Sequence, residues 1–378
     1  MKVVFVSNYF NHHQRPFCEA LKTKCDSFFF VSTTVMREER RKLGYAIEEP
    51  GYVIRAFQPE GLEQAKKELK RADVVFYGSA EGELSKPEYY RGKTVLYYSE
   101  RIYKRGCRRY LLPMRALRFF YRCRWRQRSC LLCASAYAAY DYSRSRTFLN
   151  RYYRWGYFPE AKQHDLDELF GGKTENKLLW AGRLIDWKHP EIAVETAATL
   201  HREGFRFTLD IIGSGNMEEE LARMIESKGL RDVVRLRGSM SPDQTRACME
   251  QAEIFLLTSD KQEGWGAVLN EAMNSGCAVV ASRAAGSAPF LIRDGENGLL
   301  CDSGSLDDFV NSVRQLLQNR GQRETMGRNA YFTIAELWNA EVAASRWLKL
   351  AESTAKGEKQ FSLYEDGPCS KAVIIKDN

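Results

Sequence analysis

Long apolar runs are missing from this 378-residue chain. Its most hydrophobic stretch, CLLCASAYAAY from Cys130 to Tyr140, is far short of the roughly 20 residues a helix needs to cross a bilayer, so no transmembrane helix is expected. A charged-then-apolar leader ending in small residues is missing as well, because MKVVFVSNYF runs straight into a strand-like segment. Export is not expected, and a cytoplasmic location is. Paired cysteine motifs are absent: the ten cysteines are scattered, and the single CxxC, Cys130 and Cys133, sits in an apolar run with no second pair nearby. That pattern favours reduced core thiols over disulfides or zinc. There are no internal repeats or low-complexity tracts, and no Asp-x-Asp pair at the end of a strand that would clamp a metal.

What is present is enough apolar residue, 44%, and enough length to build two ordinary cores. Lys plus Arg exceeds Asp plus Glu by eight, yet the segment Arg101 to Arg128 alone holds eleven basic residues and no acidic one. The remainder of the chain is therefore slightly acidic, and the basicity is local. After Pro113, residues Arg115, Arg118, Arg122 and Arg126 recur at helical spacing, with Met114, Leu117 and Tyr121 on a neighbouring stripe. Such a basic, aromatic-rich helix suits an anionic membrane surface, and equally a solvated face. No RRM, helix-turn-helix or zinc pattern accompanies it, so no nucleic-acid partner is expected.

Short β-branched and apolar runs alternate with helix-like stretches: KVVFVSN from Lys2, FFFVST from Phe28, DVVFYGS from Asp73, TVLYYSE from Thr94 and CLLCAS from Cys130. They read as buried parallel strands. After the connector RYYRWGYFPEAKQHD the rhythm restarts with KLLWAG, FTLDIIGSG, VVRLRGS, IFLLTSD and CAVVAS. The expected fold is α/β, two Rossmann-like doubly wound domains with strand C-termini facing across a cleft. The boundaries read as 1–158 for the first domain, 159–335 for the second, 336–353 for a helix packing back on the first, and 354–378 for a loosely ordered tail.

Two glutamates stand out in KQEGWGAVLNEAMNSGCAVVAS, Lys261 to Ser282. Gly264 and Gly266 permit a tight turn after a strand and open a helix near Ala267, whose free N–H groups suit a phosphate. Glu263 then sits on the loop and Glu271 about one turn into the helix, where carboxylates can accept from sugar and ribose hydroxyls. Taken alone, they equally read as an exposed loop residue and a solvated helix residue. WAGRLIDWKHPE adds Arg183 past a strand and Lys188 before a helix, a planar fork and a point charge suited to a departing diphosphate.

From Lys177 to Asp302, WAGRLIDWKHPE, LDIIGSGNMEEEL, VVRLRGSMS, AEIFLLTSDKQEGWGAVLNEAMNSGCAVVAS and IRDGENGLLCD resemble, in order, the donor-binding domain of retaining GT-B glycosyltransferases of family 4. The resemblance implies transfer of a sugar from a nucleoside-diphosphate sugar, UDP-linked first and GDP-mannose next, to an acceptor hydroxyl in surface polysaccharide, lipopolysaccharide or lipid-linked glycan assembly. It places Glu263 on the donor sugar, Glu271 on the ribose, Arg183 and Lys188 on the diphosphate, and Arg237 and Gly238 near the base. Gly213 and Gly215 take the glycine-rich turn, and Ser259, Gly264, Trp265, Gly266 and Ala267 complete the donor side. It implies no required cofactor. The chain departs from the family pattern with Thr258-Ser259 after the fourth strand of the domain and with Phe290 after Pro289, in a loop that lies near the donor pocket in relatives.

The first domain is less typical. SNYFNHHQRPFCEAL offers Asn8, His12, His13 and Gln14 after the first strand, with His13 the candidate to orient an acceptor hydroxyl or polarise the sugar. YYSERIY offers Glu100 and Arg101, as acceptor-side groups or as a structural ion pair. Two rival functions share these motifs, a sugar-nucleotide epimerase and a non-catalytic sugar-nucleotide-binding scaffold.

Overall fold

The computed structural model describes residues 1–38, 41, 47–106, 113–114, 117, 128–145, 148–358 and 362–376. They form two units, Met1–Glu160 with Trp338–Asn378, and Ala161–Leu337. Arg115, Arg118, Tyr121, Arg122 and Arg126 lie outside the described residues.

In the first unit, strands β1 (Lys2–Ser7), β2 (Ser27–Ser32), β3 (Val53–Arg55), β4 (Val74–Tyr77), β5 (Thr94–Ser99), β6 (Ser129–Cys133) and β7 (Tyr152–Arg154) form one parallel sheet. Its order is β3-β2-β1-β4-β5-β6-β7. Residues such as Val4, Val6, Val75, Val95 and Leu132 are buried, which explains why these strands read as near-continuous apolar runs without alternation. The second unit pairs β8 (Lys177–Ala181), β9 (Thr208–Ile212), β10 (Val234–Leu236), β11 (Ile254–Leu257), β12 (Ala278–Ser282) and β13 (Leu299–Cys301), again all parallel, in the order β10-β9-β8-β11-β12-β13. In each sheet the order reverses beside the first strand, between β1 and β4 and between β8 and β11. Loops leaving the C-terminal ends of strands at such a point are where open α/β sheets bind ligands.

Helix starts follow local chemistry. Ser241 caps the helix Pro242–Gln251 through a reciprocal capping box with Gln244, and Pro242 occupies the first turn, where its missing N–H costs nothing. Pro190 opens Pro190–Arg202 in the same way. The helix Ala340–Ala355 belongs to the first unit: Trp347 is fully buried, its ring 5.4 Å from that of Phe76, and the helix packs on Arg15–Lys22.

Two sequence expectations need correction. The connector after residue 150 contains β7, and the stretch after 354 is not loose at residues 369–372. Cys369 and Ser370 are fully buried, Lys371 bridges Tyr153 in antiparallel sense, and Cys369 N, Ser370 O and Ala372 N bond to backbone groups of Tyr152 and Arg154 at 2.8–3.0 Å. Backbone pairing to a sheet edge holds this segment, and a polar, glycine-containing sequence carries no periodicity to announce it. Among the described residues, no helix is long and apolar enough to cross a membrane.

Candidate functional site

In the second unit the loops after β8, β9, β10, β11 and β12 are tied to one another. Gly213 has φ +140°, and a Cβ there would lie 1.8 Å from the carbonyl oxygen of Gly182; at Gly215 it would lie 2.1 Å from that of Leu184. Both glycines are therefore required by backbone approach, and any side chain would push the Arg183 loop away. Gly213 N donates to Gly238 O at 2.8 Å and Leu184 N to Ser214 O at 2.9 Å. Arg237, beside Gly238, is exposed, with Nη1 3.9 Å from the buried Asp210 carboxylate.

Past Leu184 the chain makes a single turn, Asp186–Lys188, and enters its helix through His189 in the left-handed region at φ 49°. Thr258 joins this turn to β8: its hydroxyl donates to Lys188 O at 2.7 Å and accepts from Trp180 Nε1 at 2.8 Å. The departure to Thr258 thus supplies a hydroxyl that holds the cationic turn against the sheet. His189 Nδ1 lies 2.7 Å from Glu191 Oε1, and Nε2 3.7 Å from Asp260. The Glu191 hydrogen bond raises the His189 pKa, and both carboxylates add to it.

Lys188 and Arg183 share one aromatic support. The Lys188 ammonium lies 5.2 Å and the Arg183 guanidinium 5.5 Å from the Trp187 ring centre. Cations over an indole face are held by its quadrupole at about 0.5–2 kcal/mol each. Lys188 also pairs with Glu263, whose same carboxylate oxygen accepts from Ser259 Oγ at 3.3 Å. Glu263 is only 8% exposed. It is a buried, partnered carboxylate, so its reading as a solvated loop residue falls away.

Gly264, Trp265 and Gly266 follow, all buried. Trp265 Nε1 donates to Asn270 Oδ1 at 2.9 Å, and its ring centre is 6.4 Å from that of Phe290. Phe290 is thus a packing residue, buried against Trp265. Gly266, φ +87°, is the N-cap of the helix Ala267–Asn274, and the first N–H groups of such a helix have no intrahelical acceptor. Glu271 lies one turn along this helix, half-buried. Burial pushes its carboxyl up to about 7, against the opposing pull of Arg246.

The first-unit candidates cluster at the ends of β1 and β5. Asn8 Oδ1 accepts from Tyr9 N at 2.9 Å and Ser7 Oγ at 3.2 Å. The His12 and His13 rings are 3.8 Å apart, and His13 is nearly parallel to Tyr157 at 6.4 Å. Gln14 Nε2 donates to Tyr98 Oη at 3.4 Å. Glu100 accepts from Tyr157 Oη at 2.5 Å and pairs with Lys104. Arg101 is different: it is 4% exposed, its Nη2 lies 3.5 Å from Asp141 Oδ1, and its guanidinium covers Tyr137. Burial and that partner remove it from the acceptor side. Trp187, Tyr157, Lys104 and Asp141 were not anticipated. Only Trp187, between two cations in RLIDWKHP, carried a local signal.

Among the described residues, no group of three or more His, Cys, Asp or Glu side chains is arranged to hold a metal. Cys130 and Cys133 are buried, and burial raises both thiols.

Residues 162–332 match the profile of the family described as Glycosyl transferases group 1. The poly(ribitol-phosphate) alpha-N-acetylglucosaminyltransferase of Staphylococcus aureus (strain COL) is 28% identical over 193 residues, covering 51% of this chain and 38% of that protein. The GtfA subunit of the UDP-N-acetylglucosamine–peptide N-acetylglucosaminyltransferase of Streptococcus gordonii is 30% identical over 195 residues, 49% of this chain and 37% of its own. The chain therefore spans well under half the length of these curated relatives. In fold, it is similar to the crystal structure of Anabaena HepE in complex with UDP, at TM-score 0.65 and 15% identity, covering 94% of this chain and 99% of that one. Two parallel Rossmann-like sheets in one chain agree with the GT-B architecture of that structure, and the stretch that carries Arg183, Lys188, Glu263 and Glu271 lies within the match to Glycosyl transferases group 1.

Proposed function

We propose that this protein is a retaining, family 4 glycosyltransferase that moves a sugar from a nucleoside-diphosphate sugar to an acceptor hydroxyl. A UDP-sugar is the first choice of donor and GDP-mannose the second; the Streptococcus gordonii relative is named for UDP-N-acetylglucosamine, and the Anabaena HepE structure is a complex with UDP. The observation that carries the reading is the Arg183–Trp187–Lys188–Glu263 arrangement beside the helix that Gly266 opens. Lys188 and Arg183 would take the diphosphate together with the helix N–H groups, stabilising charge that grows as the sugar departs. Lys188 would then exchange Glu263 for phosphate, leaving that carboxylate to accept from a sugar hydroxyl. Glu271 would accept from the ribose, and Arg237 and Gly238 would flank the base. Two fixed cations make a metal dispensable in this scheme. Attack from the face that the nucleotide leaves retains the anomeric configuration.

On the acceptor side we assign Asn8, His12, His13, Gln14 and Glu100, with His13 orienting the attacking hydroxyl. The acceptor is proposed to be a growing surface glycan or a lipid-linked one. The basic segment Arg115 to Arg126 would hold the enzyme at an anionic membrane from the cytoplasmic side, and the exposed Met114 and Leu117 that precede and interleave it support that use.

A thermal-shift screen of nucleotides and sugar nucleotides tests the reading, because a ligand bound only by the folded state raises the unfolding temperature by mass action. UDP and one UDP-sugar should stabilise the protein. No shift with any uridine or guanosine diphosphate compound at millimolar concentration overturns it.

A further inference from the structure

Ser287 lies on the loop between β12 and the one-turn helix Ala288–Leu291, and it is fully buried. Its hydroxyl does not cap that helix and has no hydrogen-bond partner among the described residues. A buried hydroxyl left unpaired is unfavourable, so in native proteins such a group has a reason to be there.

Its surroundings supply one. Ser287 N donates to Trp265 O at 3.0 Å, and Gly286 N to Glu263 O at 3.1 Å, so this loop is bonded along the backbone that carries Glu263. At Gly266 a Cβ would stand 3.2 Å from Glu263 Cγ and 3.7 Å from Ser287 Oγ. Gly266, the Glu263 stem and the unpaired Ser287 hydroxyl are therefore immediate neighbours, with room between them for no more than about one atom. Glycine is held there by its φ of +87°, a conformation costly for any other residue, so this close approach is fixed by the backbone.

We propose that the Ser287 hydroxyl hydrogen-bonds the transferred hexose of the donor, acting beside Glu263 as a specificity-determining residue. The inference rests on the nucleotide-sugar reading above. A neutral hydroxyl both donates and accepts, so it can engage a ring hydroxyl that already donates to the Glu263 carboxylate. Phe290, three residues on, offers no polar group, which leaves Ser287 to make the polar contact from this loop.

The test compares wild type with Ser287→Ala and Ser287→Cys by calorimetry against UDP, UDP-glucose and UDP-N-acetylglucosamine, alongside thermal unfolding of the unliganded proteins. Both variants should unfold at or above the wild-type temperature, since no partner is lost, and should bind UDP unchanged. Both should bind the preferred sugar nucleotide about tenfold more weakly, the loss of one hydrogen bond. Unchanged sugar-nucleotide affinity in Ser287→Ala overturns the inference, as does full affinity in Ser287→Cys, where shape without a strong donor would suffice. A drop in unfolding temperature with no selective loss for the sugar nucleotide would make the residue structural. If wild type binds UDP but gains nothing from either hexose, the inference falls while the nucleotide site stands. If it binds none of the three, the donor reading falls and the inference with it.

Discussion

Glu271 is half-buried on the helix that follows the glycine turn, and burial lifts its carboxyl from the usual 4.5 to about 7. A carboxyl lifted this far keeps a share of its protonated form at neutral pH in the unliganded protein. A carboxylate that accepts two ribose hydroxyls is favoured in its ionised form, so the proposed role lowers this pKa on binding. If it falls by about one unit, roughly 0.4 proton is released per donor bound at pH 7, and affinity drops about fivefold from pH 8 to pH 6. A sugar nucleotide is the right probe, because its diphosphate does not titrate in that range whereas that of a bare nucleoside diphosphate does. Calorimetry in phosphate and Tris, which differ in ionisation enthalpy, reads the released proton directly. Glu271→Gln should release none and show flat affinity. Folding follows the same linkage: between pH 4.5 and 7 the folded protein holds a proton the unfolded chain lacks, so stability falls as pH rises through this window. Glu271→Gln should escape that fall, gaining on wild type at pH 8 and matching it below pH 4.5. Equal proton release in wild type and Glu271→Gln would refute the placement of this carboxylate at the ribose.

Glu263→Ala should lower transfer strongly while bare UDP binds at least as well as to wild type, because Lys188 loses its carboxylate partner and is free for phosphate; weakened UDP binding contradicts this. The same change removes one member of a largely buried ion pair and should cost about 3 kcal/mol by denaturant titration. Transfer should persist in excess chelator, and activity restored only by magnesium or manganese would sink the two-cation scheme. Arg115, Arg118, Arg122 and Arg126 all changed to Gln should abolish co-sedimentation with anionic liposomes at about 1 kcal/mol per residue, leaving donor affinity intact; unchanged sedimentation assigns the stripe elsewhere.

The long strands were legible because burial on both faces leaves uninterrupted β-branched runs, as in KVVFVS and AVVAS. Of the three-residue strands, β10 was legible within VVRLRGS, whereas β3, β7 and β13 stand in no such run and are strands because a neighbour offers hydrogen bonds. At the site, glycine spacing located the turn and the glutamates, since only backbone geometry forces those glycines. The pairing of Lys188 with Glu263, 75 positions apart, and of Arg101 with Asp141, 40 apart, is tertiary and left no local trace. Ser287 was invisible for another reason: a lone serine is unremarkable until its hydroxyl is seen to be buried and unpaired.

The strand edge covered by residues 369–372 has a consequence for biosynthesis. Strand β7 is laid down near position 152, whereas the segment that seals it lies more than two hundred residues later, beyond the entire second unit. During translation the second unit can emerge whole and fold on contacts within itself. The first unit meanwhile waits with an open row of backbone donors and acceptors, and with the pocket for Trp347 unfilled. Such late, long-range closure is slow and leaves a nascent chain exposed to strand addition from its neighbours. The most vulnerable species on the ribosome is therefore not the earliest intermediate but a chain whose second unit is already folded while residues 369–372 have yet to reach β7.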